Sequence, residues 1–284
     1  MYIIQTAYHI AIPANLHYNE FMSKFYEEKI TYNQITFRYT KGKSHMTGNE
    51  IHPFHEILYY IDGDAVFLSE KYQEPLSQGS LLLIPKNMYH QFHIQNQEKY
   101  TRLALSFPDM EGTEELIDST MSEIKIVRNL NIHLERILQR MCRIVQNTNY
   151  QKERCIFLYS AFLMLLAELN MENVDISLPQ IRESTPLITE CLHYIEYNFT
   201  QNITVAHIAK HLKVSDSALS HAFKQELGIS LYQYIIKKRL IYAHNLISEG
   251  EKPTKIFSAC GYQDYPTFYK AYMKMFGCAP SCKK

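Results

Sequence analysis

The C-terminal third of the chain repeats itself, and this repeat constrains the fold more than any other feature of the sequence. Each copy has a residue that can cap a helix, apolar residues spaced by four, and a glycine that can end the helix. Two copies of one helical unit are therefore predicted. At a shift of 49 residues the pairs are Ile208 with Phe257, Ala209 with Ser258, Ser215 with Asp264, Leu219 with Phe268, Phe223 with Tyr272, and Gly228 with Gly277.

Each copy predicts a helix-turn-helix. In the first copy a short helix ends near Leu212, a tight turn follows, and Ser215 caps a second helix that Gly228 closes. The first helix of each copy, here called the brace helix, supports a second helix whose exposed face can lie in a major groove. Small residues, Ala209 and Ser258, are expected to permit the close crossing.

The aromatic residues near the C-terminus are expected to divide by helix face. In the stretch ACGYQDYPTFYKAYMKMFG, Phe268, Tyr272 and Phe276 recur every four residues and predict a packed stripe. Three other side chains are then expected to face outward: Tyr265, Tyr269 and Lys270.

A longer helix is predicted between the two copies, in SLYQYIIKKRLIYAHNLISEG. Ser230 and Gln233 have the spacing of a capping box, and Gly250 closes the helix. Its 18 or so residues would span roughly 27 Å. A rigid helix of this length could hold two recognition helices near one DNA turn apart, which is about 34 Å.

Residues 187 to 284 resemble the DNA-binding region of AraC/XylS-type transcriptional regulators. The resemblance lies in ITVAHIAKHLKVSDSALSHAFKQELGISLYQYIIKKRLIYAHNLI, which holds Arg239, Ala243 and Leu246 in register, and in CGYQDYPTFYKAYMKMFGCAP. It implies a sequence-specific transcription factor with two helix-turn-helix units in one chain. It also favours activation through contact with RNA polymerase.

The resemblance also implies DNA contacts, position by position, although a merely solvated face is the alternative for each polar residue. The first recognition helix should present Ser217, Ser220 and His221 to base edges and Lys224 nearer the backbone. Lys237 and Lys238 are expected at phosphates. The second recognition helix should present Tyr265, Pro266, Tyr269 and Lys270.

The second unit departs from the family pattern. Its brace helix, in TKIFSACGY, is one residue shorter than usual, with Phe257 and Ser258 at the usual isoleucine-alanine pair. Pro266 stands where a small polar residue is common and removes a donor from the first helical turn. Base reading is therefore expected more from the first unit than from the second.

The residues upstream of the repeat predict a different architecture. From Ile35 to Phe107 short apolar runs alternate with turn residues, which predicts an antiparallel sandwich or barrel. After Pro108 the pattern becomes helical, with one apolar stripe that favours either dimerisation or packing on the next helix. The stripe contains Leu130, Leu134, Ile137, Leu138, Met141, Ile144 and Val145.

Two segments of this region, HPFHEILYYIDGD and LSQGSLLLIPKNMYHQF, resemble a cupin-type sensor domain. The second segment keeps the spacing from Gly79 through Pro85 to His90. The resemblance covers roughly residues 20 to 107 and implies a small β-barrel with a ligand-sized interior. The expected effector pocket contains His52, Glu56, Tyr60, His90 and Phe92.

A metal site is the alternative use of the same residues. Glu50, His52, Glu56 and His90 form a conceivable mixed set of oxygen and nitrogen ligands, but Glu50 replaces a histidine and Ile94 replaces a polar residue. The competing interpretations are a polar effector pocket and histidines that form hydrogen bonds at the ends of strands. We therefore expect no metal and no cofactor.

An enzyme is the competing function class. A metal-dependent cupin enzyme fused to a DNA-binding module would need the metal, and the sequence shows no nucleophile elbow, phosphate loop or metalloprotease pair. An RNA-binding module is disfavoured because no aromatic strand of the RNP type is present. A non-enzymatic regulator is expected.

Composition and charge support the same division of the chain. From Ser184 onward the chain has 12 Lys and Arg and 7 Asp and Glu, which gives this part a net charge of +5. Because the whole chain is neutral, the preceding residues have a net charge of −5. The first residues, MYIIQTAYHI, lack the features of a secretory signal, and six scattered cysteines favour a reducing cytoplasm. The most apolar run, IFLYSAFLMLLAEL, is too short to span a membrane and predicts a buried helix.

Together these patterns predict an α+β multidomain protein. Its parts would be an N-terminal cupin-like β-barrel with a helical dimerisation segment and a C-terminal all-α domain with two helix-turn-helix motifs. The expected partners are double-stranded DNA, a small-molecule effector, RNA polymerase and a second copy of the chain, but no membrane. The expected boundaries are 1–115 for the sensor, 116–172 for the helical segment, 173–185 for the linker and 186–284 for the DNA-binding domain.

Overall fold

A computed structural model describes residues 25–42, 49–147, 149, 151–171 and 174–282. The stretch MYIIQTAYHI lies outside these residues. By contacts the described chain forms two units: the first lies within Met1–Gly48, Phe54–Leu68 and Tyr72–Gln180, and the second within Asn49–Pro53, Ser69–Lys71 and Ile181–Lys284. Among the described helices, none has the length and hydropathy needed to cross a membrane.

Two antiparallel sheets form the strand-rich part of the chain. Within the described residues the larger sheet has the strand order β1-β2-β8-β3-β6-β9-β10, and the smaller has the order β5-β4-β7. The strands are β1 (Tyr26–Tyr32), β2 (Ile35–Lys41), β3 (His55–Asp62), β4 (Ala65–Ser69), β5 (Gln73–Pro75), β6 (Leu81–Ile84), β7 (His90–Ile94), β8 (Thr101–Phe107), β9 (Lys125–Val127) and β10 (Ile176–Ser177).

The predicted apolar runs correspond to β2, β3, β4, β6 and β8, but three strands of the large sheet, β1, β9 and β10, were not predicted. Strand β1 precedes the expected start at Ile35 and pairs with β2 along its whole length. Strand β10 falls in the segment interpreted as a linker, where Ile176 pairs with Val127 and Ser177 with Ile126. The Arg128 guanidinium also donates to Ser177 Oγ at 2.6 Å. The sheet therefore extends at both edges beyond the predicted run of strands.

The central strands alternate between two cores, as the period of two in a strand requires. On β3, Ile57 and Tyr59 belong to a core shared with helices. Leu58 and Tyr60, on the opposite face, belong to a second core with Phe67 of the small sheet. The second core is the interior between the two sheets.

Three helices pack on the outer face of the large sheet: α1 (Glu114–Thr120), α2 (Ile132–Gln146) and α3 (Gln151–Leu169). The apolar stripe of α2 is buried within this unit, so the intramolecular packing is observed, and dimerisation through this segment stays a prediction. Arg154, at the start of α3, donates hydrogen bonds to Ile144 O and Val145 O. These carbonyl groups at the C-terminal end of α2 therefore have hydrogen-bond partners. The buried stripe of α2 comprises Leu134, Leu138, Met141, Cys142 and Val145.

The second unit is helical after residue 181, and its longest helix matches the predicted connecting helix. That helix, α7, has 18 residues, and Ser230 Oγ accepts from Gln233 N at 3.2 Å at its start. The α+β class with a helical C-terminal domain is confirmed. The helices are α4 (Pro186–Asn198), α5 (Val205–His211), α6 (Asp216–Leu227), α7 (Leu231–Ser248), α8 (Pro253–Ile256) and α9 (Tyr265–Phe276).

Candidate nucleic-acid interface and ligand-binding interior

Helices α5 and α6 form the first predicted helix-turn-helix, and its local signals are confirmed. Ser215 Oγ accepts from Ala218 N at 3.2 Å and so caps α6. Gly228 ends α6 in the left-handed conformation, with φ of 67°. Ala209, Leu219 and Phe223 are fully buried. The brace helix therefore supports α6 through the residues that the repeat singled out.

Helices α8 and α9 form the second helix-turn-helix. Its brace helix is offset by one residue from the position that the sequence repeat predicted. Val214 N donates to Ala209 O in the first turn, and Tyr262 N donates to Phe257 O in the second, which gives a shift of 48 rather than 49 residues. Ile256 is thus the buried counterpart of Ile208. The pairing of brace helices through Phe257 and Ser258 is wrong, because the second turn contains one additional residue before α9.

Ser258 does not permit the close crossing that the sequence suggested, since its side chain is exposed. The close approach occurs instead at Gly261, which has φ of 81°. A Cβ atom at this position would lie 2.7 Å from Nε of Arg239. Arg239 is buried and donates to Phe199 O at 2.6 Å and to Gln201 O at 2.7 Å. This guanidinium joins α7, the end of α4 and the second turn.

Asp264 caps the second recognition helix. Its carboxylate accepts from Thr267 N at 2.8 Å and from Thr267 Oγ1 at 2.9 Å. These hydrogen bonds lower the pKa of Asp264. Pro266 occupies the first turn of α9, where a missing N–H donor is tolerated.

The predicted base-reading residues of α6 lie largely in solvent. Ser217, His221 and Lys224 are exposed, and Ser220 is half-buried. The side chains at 217, 221 and 224 share one face of the helix by their spacing. This face can offer hydroxyl, imidazole and ammonium groups to base edges or phosphates.

The outward residues of α9 form a more aromatic face. Tyr269, Lys270 and Pro266 are exposed. Tyr265 is half-buried, with its ring centroid 5.9 Å from that of Phe257. Phe276, predicted inside, is only half-buried and stacks on the His244 ring with a centroid distance of 4.6 Å. Phe268 and Tyr272 are buried as predicted.

Lys237 and Lys238 differ from the other two predicted phosphate contacts. Lys237 is half-buried and donates to Asn49 O, and burial lowers its pKa. Lys238 pairs with the carboxylate of Glu196 and lies 5.9 Å from the Phe199 ring centroid. Both ammonium groups therefore have partners within their own unit. Binding of phosphate by either ammonium group stays a prediction, and it would require these contacts to open.

The interior between the two sheets contains four of the five predicted effector-pocket residues. Glu56, Tyr60, His90 and Phe92 are all at least nine-tenths buried. His90 Nε2 lies 3.4 Å from Glu56 Oε2, and the other ring nitrogen lies 3.1 Å from Met88 O. Burial is the main cause that raises the pKa of Tyr60.

His52, the fifth predicted pocket residue, is also buried, but its segment Asn49–Pro53 groups with the second unit. Glu50 belongs to the same segment. Of the four hypothetical metal ligands, Glu56 and His90 are therefore the two that lie within the first unit. A metal at this set stays a hypothesis.

Arg102 is an interior residue that sequence analysis missed. It is 2% exposed, and its guanidinium carbon lies 5.5 Å from the Phe92 ring centroid and 5.6 Å from that of Tyr100. Strand pairing places it opposite Tyr60, on the interior face of β8. Strand alternation in YTRLALSF, with Leu103 and Leu105 toward the helices, was the signal that could have placed Arg102 inside.

Two known protein families match the chain, one in its strand-rich part and one in its helical part. Residues 34–166 match the family described as an AraC-like ligand binding domain. Residues 208–283 match a helix-turn-helix domain family. The two matches cover the interior between the sheets and both candidate recognition helices.

Several curated proteins are similar to parts of the chain. The "Probable transcriptional regulator LumQ" of Photobacterium leiognathi is 31% identical over 31% of this chain and 36% of that protein. The xylose operon regulatory protein of Haemophilus influenzae is 28% identical over 53% of this chain and 43% of that protein. The virulence regulon transcriptional activator VirF of Yersinia enterocolitica is 23% identical over 58% of this chain and 60% of that protein. The chain thus spans less than two thirds of the length of each.

Proposed function

Because the chain belongs to the AraC/XylS family of transcriptional regulators, we propose that α6 and α9 read two successive major grooves of one DNA site. The observation that carries this proposal is the presence of two capped helices with exposed faces on one helical unit. The matched domains are those of a regulator rather than of an enzyme. A connecting helix of 18 residues is roughly 27 Å long, close to the ~34 Å of one DNA turn.

Selection from random double-stranded DNA tests the proposed reading of two grooves. The purified protein should enrich one motif with two blocks whose centres are about 10 base pairs apart, because successive major grooves on one side of DNA have this spacing. Duplex RNA of the same sequence should not compete, since its deep, narrow major groove does not admit a helix. A motif with one block would contradict the participation of both helices.

The interior between the two sheets is the proposed effector site. Its polar groups come from Glu56, Tyr60, His90 and Arg102, and aromatic rings such as that of Phe92 lie among them. Few polar groups in aromatic surroundings are typical of small-molecule sites. We propose that a small polar molecule, such as a sugar or an organic acid, binds here and changes DNA binding. A role of His52 in effector binding stays a prediction from the sequence.

Arg102→Met should abolish the response to the effector while DNA binding without effector is retained. Methionine keeps much of the side-chain volume, so the variant removes the guanidinium without leaving a large cavity. The measurement is a thermal-shift screen of sugars and organic acids with the parent, followed by the same compound with the variant. Arg136→Met, at an exposed arginine, is the matched control and should respond like the parent.

An undiminished thermal shift in Arg102→Met would contradict the proposed place of the effector. An equal loss of the shift in Arg136→Met would also count against it, since that side chain lies in solvent.

We propose that this regulator works as an activator in the cytoplasm, as a homodimer that contacts RNA polymerase. Similarity to the Yersinia transcriptional activator VirF supports activation. A dimer would present four recognition helices and so lengthen the DNA site.

A further inference from the structure

Helix α9 has apolar rings at two positions where α6 has hydrogen-bonding side chains. The two recognition helices align at a shift of 49 residues, because each follows its capping residue and each ends at a left-handed glycine. At this shift Ser217 corresponds to Pro266, and Ser220 corresponds to Tyr269. Two serine hydroxyls of the first helix are therefore replaced by a pyrrolidine ring and a phenol ring in the second.

The N-terminal half of α9 is the part that meets base edges when a recognition helix lies in a major groove. Pro266, Thr267 and Tyr269 are exposed in this half of the helix. They are called the apolar face of α9. Pro266 contributes ring carbons and has no N–H group to donate.

The hydroxyl of Thr267 is already used within the helix. It donates to Asp264 Oδ2 at 2.9 Å, while Thr267 N donates to Oδ1 of the same carboxylate at 2.8 Å. A threonine hydroxyl has one proton to donate. Because that proton goes to the cap, Thr267 does not donate to a base, and its methyl group remains for apolar contact.

The ring of Tyr269 is supported by neighbouring rings. Its centroid lies 6.1 Å from that of Tyr265, one helical turn earlier. The Tyr265 ring in turn packs against Phe257 at 5.9 Å and against the buried Phe268 at 5.8 Å. A tyrosine has only two side-chain torsions, so a ring supported in this way offers contact area at a low cost in conformational entropy. Tyr269 is still 37% exposed and can meet DNA.

Thymine is the base whose major-groove edge matches such a face. Its C5 methyl group is an apolar group in that groove, and threonine methyl groups and aromatic side chains contact it. The major-groove edges of the other three bases present hydrogen-bond donors and acceptors. Lys270, exposed beside the apolar face, can donate to a phosphate or to O4 of thymine.

We propose that the apolar face of α9 recognises thymine methyl groups. The DNA block read by α9 then contains thymines whose methyl groups contact Pro266, Thr267 and Tyr269. Helix α6 reads its own block through hydrogen bonds from side chains such as Ser217 and His221. This inference rests on the proposed function in taking α9 to lie in a major groove, and it adds which base α9 selects and through which group.

Exchange of thymidine for deoxyuridine tests the proposal with the unaltered protein, because it removes only the methyl group. The duplex is the one recovered by selection from random DNA, and the block that His221→Ala relaxes is assigned to α6. In the other block, loss of a contacted methyl group should raise the Kd about fourfold, the factor expected for burial of one such group. The same exchange in the α6 block should leave the Kd unchanged. Fluorescence anisotropy at one salt concentration measures each Kd.

Conservative variants identify the protein side of this contact. Thr267→Ser keeps the hydroxyl that binds Asp264 but loses the methyl group, so it should reduce the difference between the thymidine and deoxyuridine duplexes. Tyr269→Phe keeps the ring and should keep the difference, whereas Tyr269→Ala should reduce it. Circular dichroism of each variant checks that α9 is still formed.

The outcomes separate this inference from the proposed function. A selected motif with one block overturns both. Two blocks without thymine in the α9 block, or an unchanged Kd after the exchange there, overturn thymine recognition alone. Equal losses in the two blocks also overturn it, since the methyl groups would then act through the shape of the DNA. Loss of the difference in Tyr269→Phe would assign the contact to the hydroxyl and contradict an apolar one.

Discussion

Gly261→Ala should lower the free energy of unfolding of the second unit by about 2 to 5 kcal/mol. Two separate causes contribute. The φ of 81° is unfavourable for any residue with a Cβ atom, which costs roughly 1–2 kcal/mol. The new methyl group would also meet Arg239 Nε at 2.7 Å.

The steric part of this effect is large because Arg239 has little room to move. Its guanidinium donates to Phe199 O and Gln201 O at the end of α4, so a shift away from residue 261 would strain or break these hydrogen bonds. Overpacking in such a position costs about 1–3 kcal/mol. Weakened packing at Arg239 should loosen the second turn, and DNA binding by α9 should fall with stability.

Gly277→Ala is the matched control for the backbone contribution. Gly277 has φ of 70°, and a Cβ atom there meets nothing within 4 Å. We expect only the backbone cost of roughly 1–2 kcal/mol. Urea unfolding followed by circular dichroism at the helical band measures both variants. Equal losses in the two would show that the contact with Arg239 does not matter.

Changing Lys224 and Lys270 together to Ala should reduce the salt dependence of DNA binding, with weaker binding to all sequences alike. Each phosphate contact contributes about 0.9 to the slope of log K against log salt, so the double variant should lose about 1.8. Both side chains are exposed on the recognition helices. Fluorescence anisotropy on one selected duplex, at several salt concentrations, measures the slope.

The control is the double change of Lys237 and Lys238 to Ala. The structure gives these ammonium groups partners inside the unit, Asn49 O and the Glu196 carboxylate, so the slope should stay near that of the parent. A larger fall in slope from this control than from the Lys224 and Lys270 variant would restore the original expectation from the sequence. It would also show that the two internal contacts open when DNA binds.

Local signals explain what the sequence predicted well. The cap at Ser215, the ending of α6 at Gly228 and the cap at Ser230 each depend on a few adjacent residues. Such features are visible in a single sequence. The two recognition helices and the connecting helix were accordingly predicted close to their observed bounds.

Features that depend on distant contacts were predicted less well. One shift of 49 residues cannot reveal an added residue in a single turn, so the counterpart of Ile208 was assigned to Phe257 instead of Ile256. The basic pair in YIIKKRL looks solvated in sequence, because its partners lie far away in the chain. Strand β1, in YEEKITY, was missed because an edge strand can carry many charged residues.

The interior of the sensor unit shows the same limit. Glu56 and His90 were predicted as interior groups from motif spacing, and their nitrogen and oxygen atoms lie 3.4 Å apart. Arg102 was overlooked because a lone arginine in an apolar strand does not by itself indicate which face it occupies. Alternation with Leu103 and Leu105 places it inside once the direction of the core is known.

DNA selection with paired variants tests whether two helices of one chain read two grooves. His221→Ala, on α6, and Tyr269→Ala, on α9, remove one exposed side chain each. We expect the parent to enrich two blocks about one helical turn apart and each variant to relax the preference in a different block. Relaxation of the same block by both variants, or no enrichment by the parent with or without cell extract as a source of effector, would contradict the reading of two grooves.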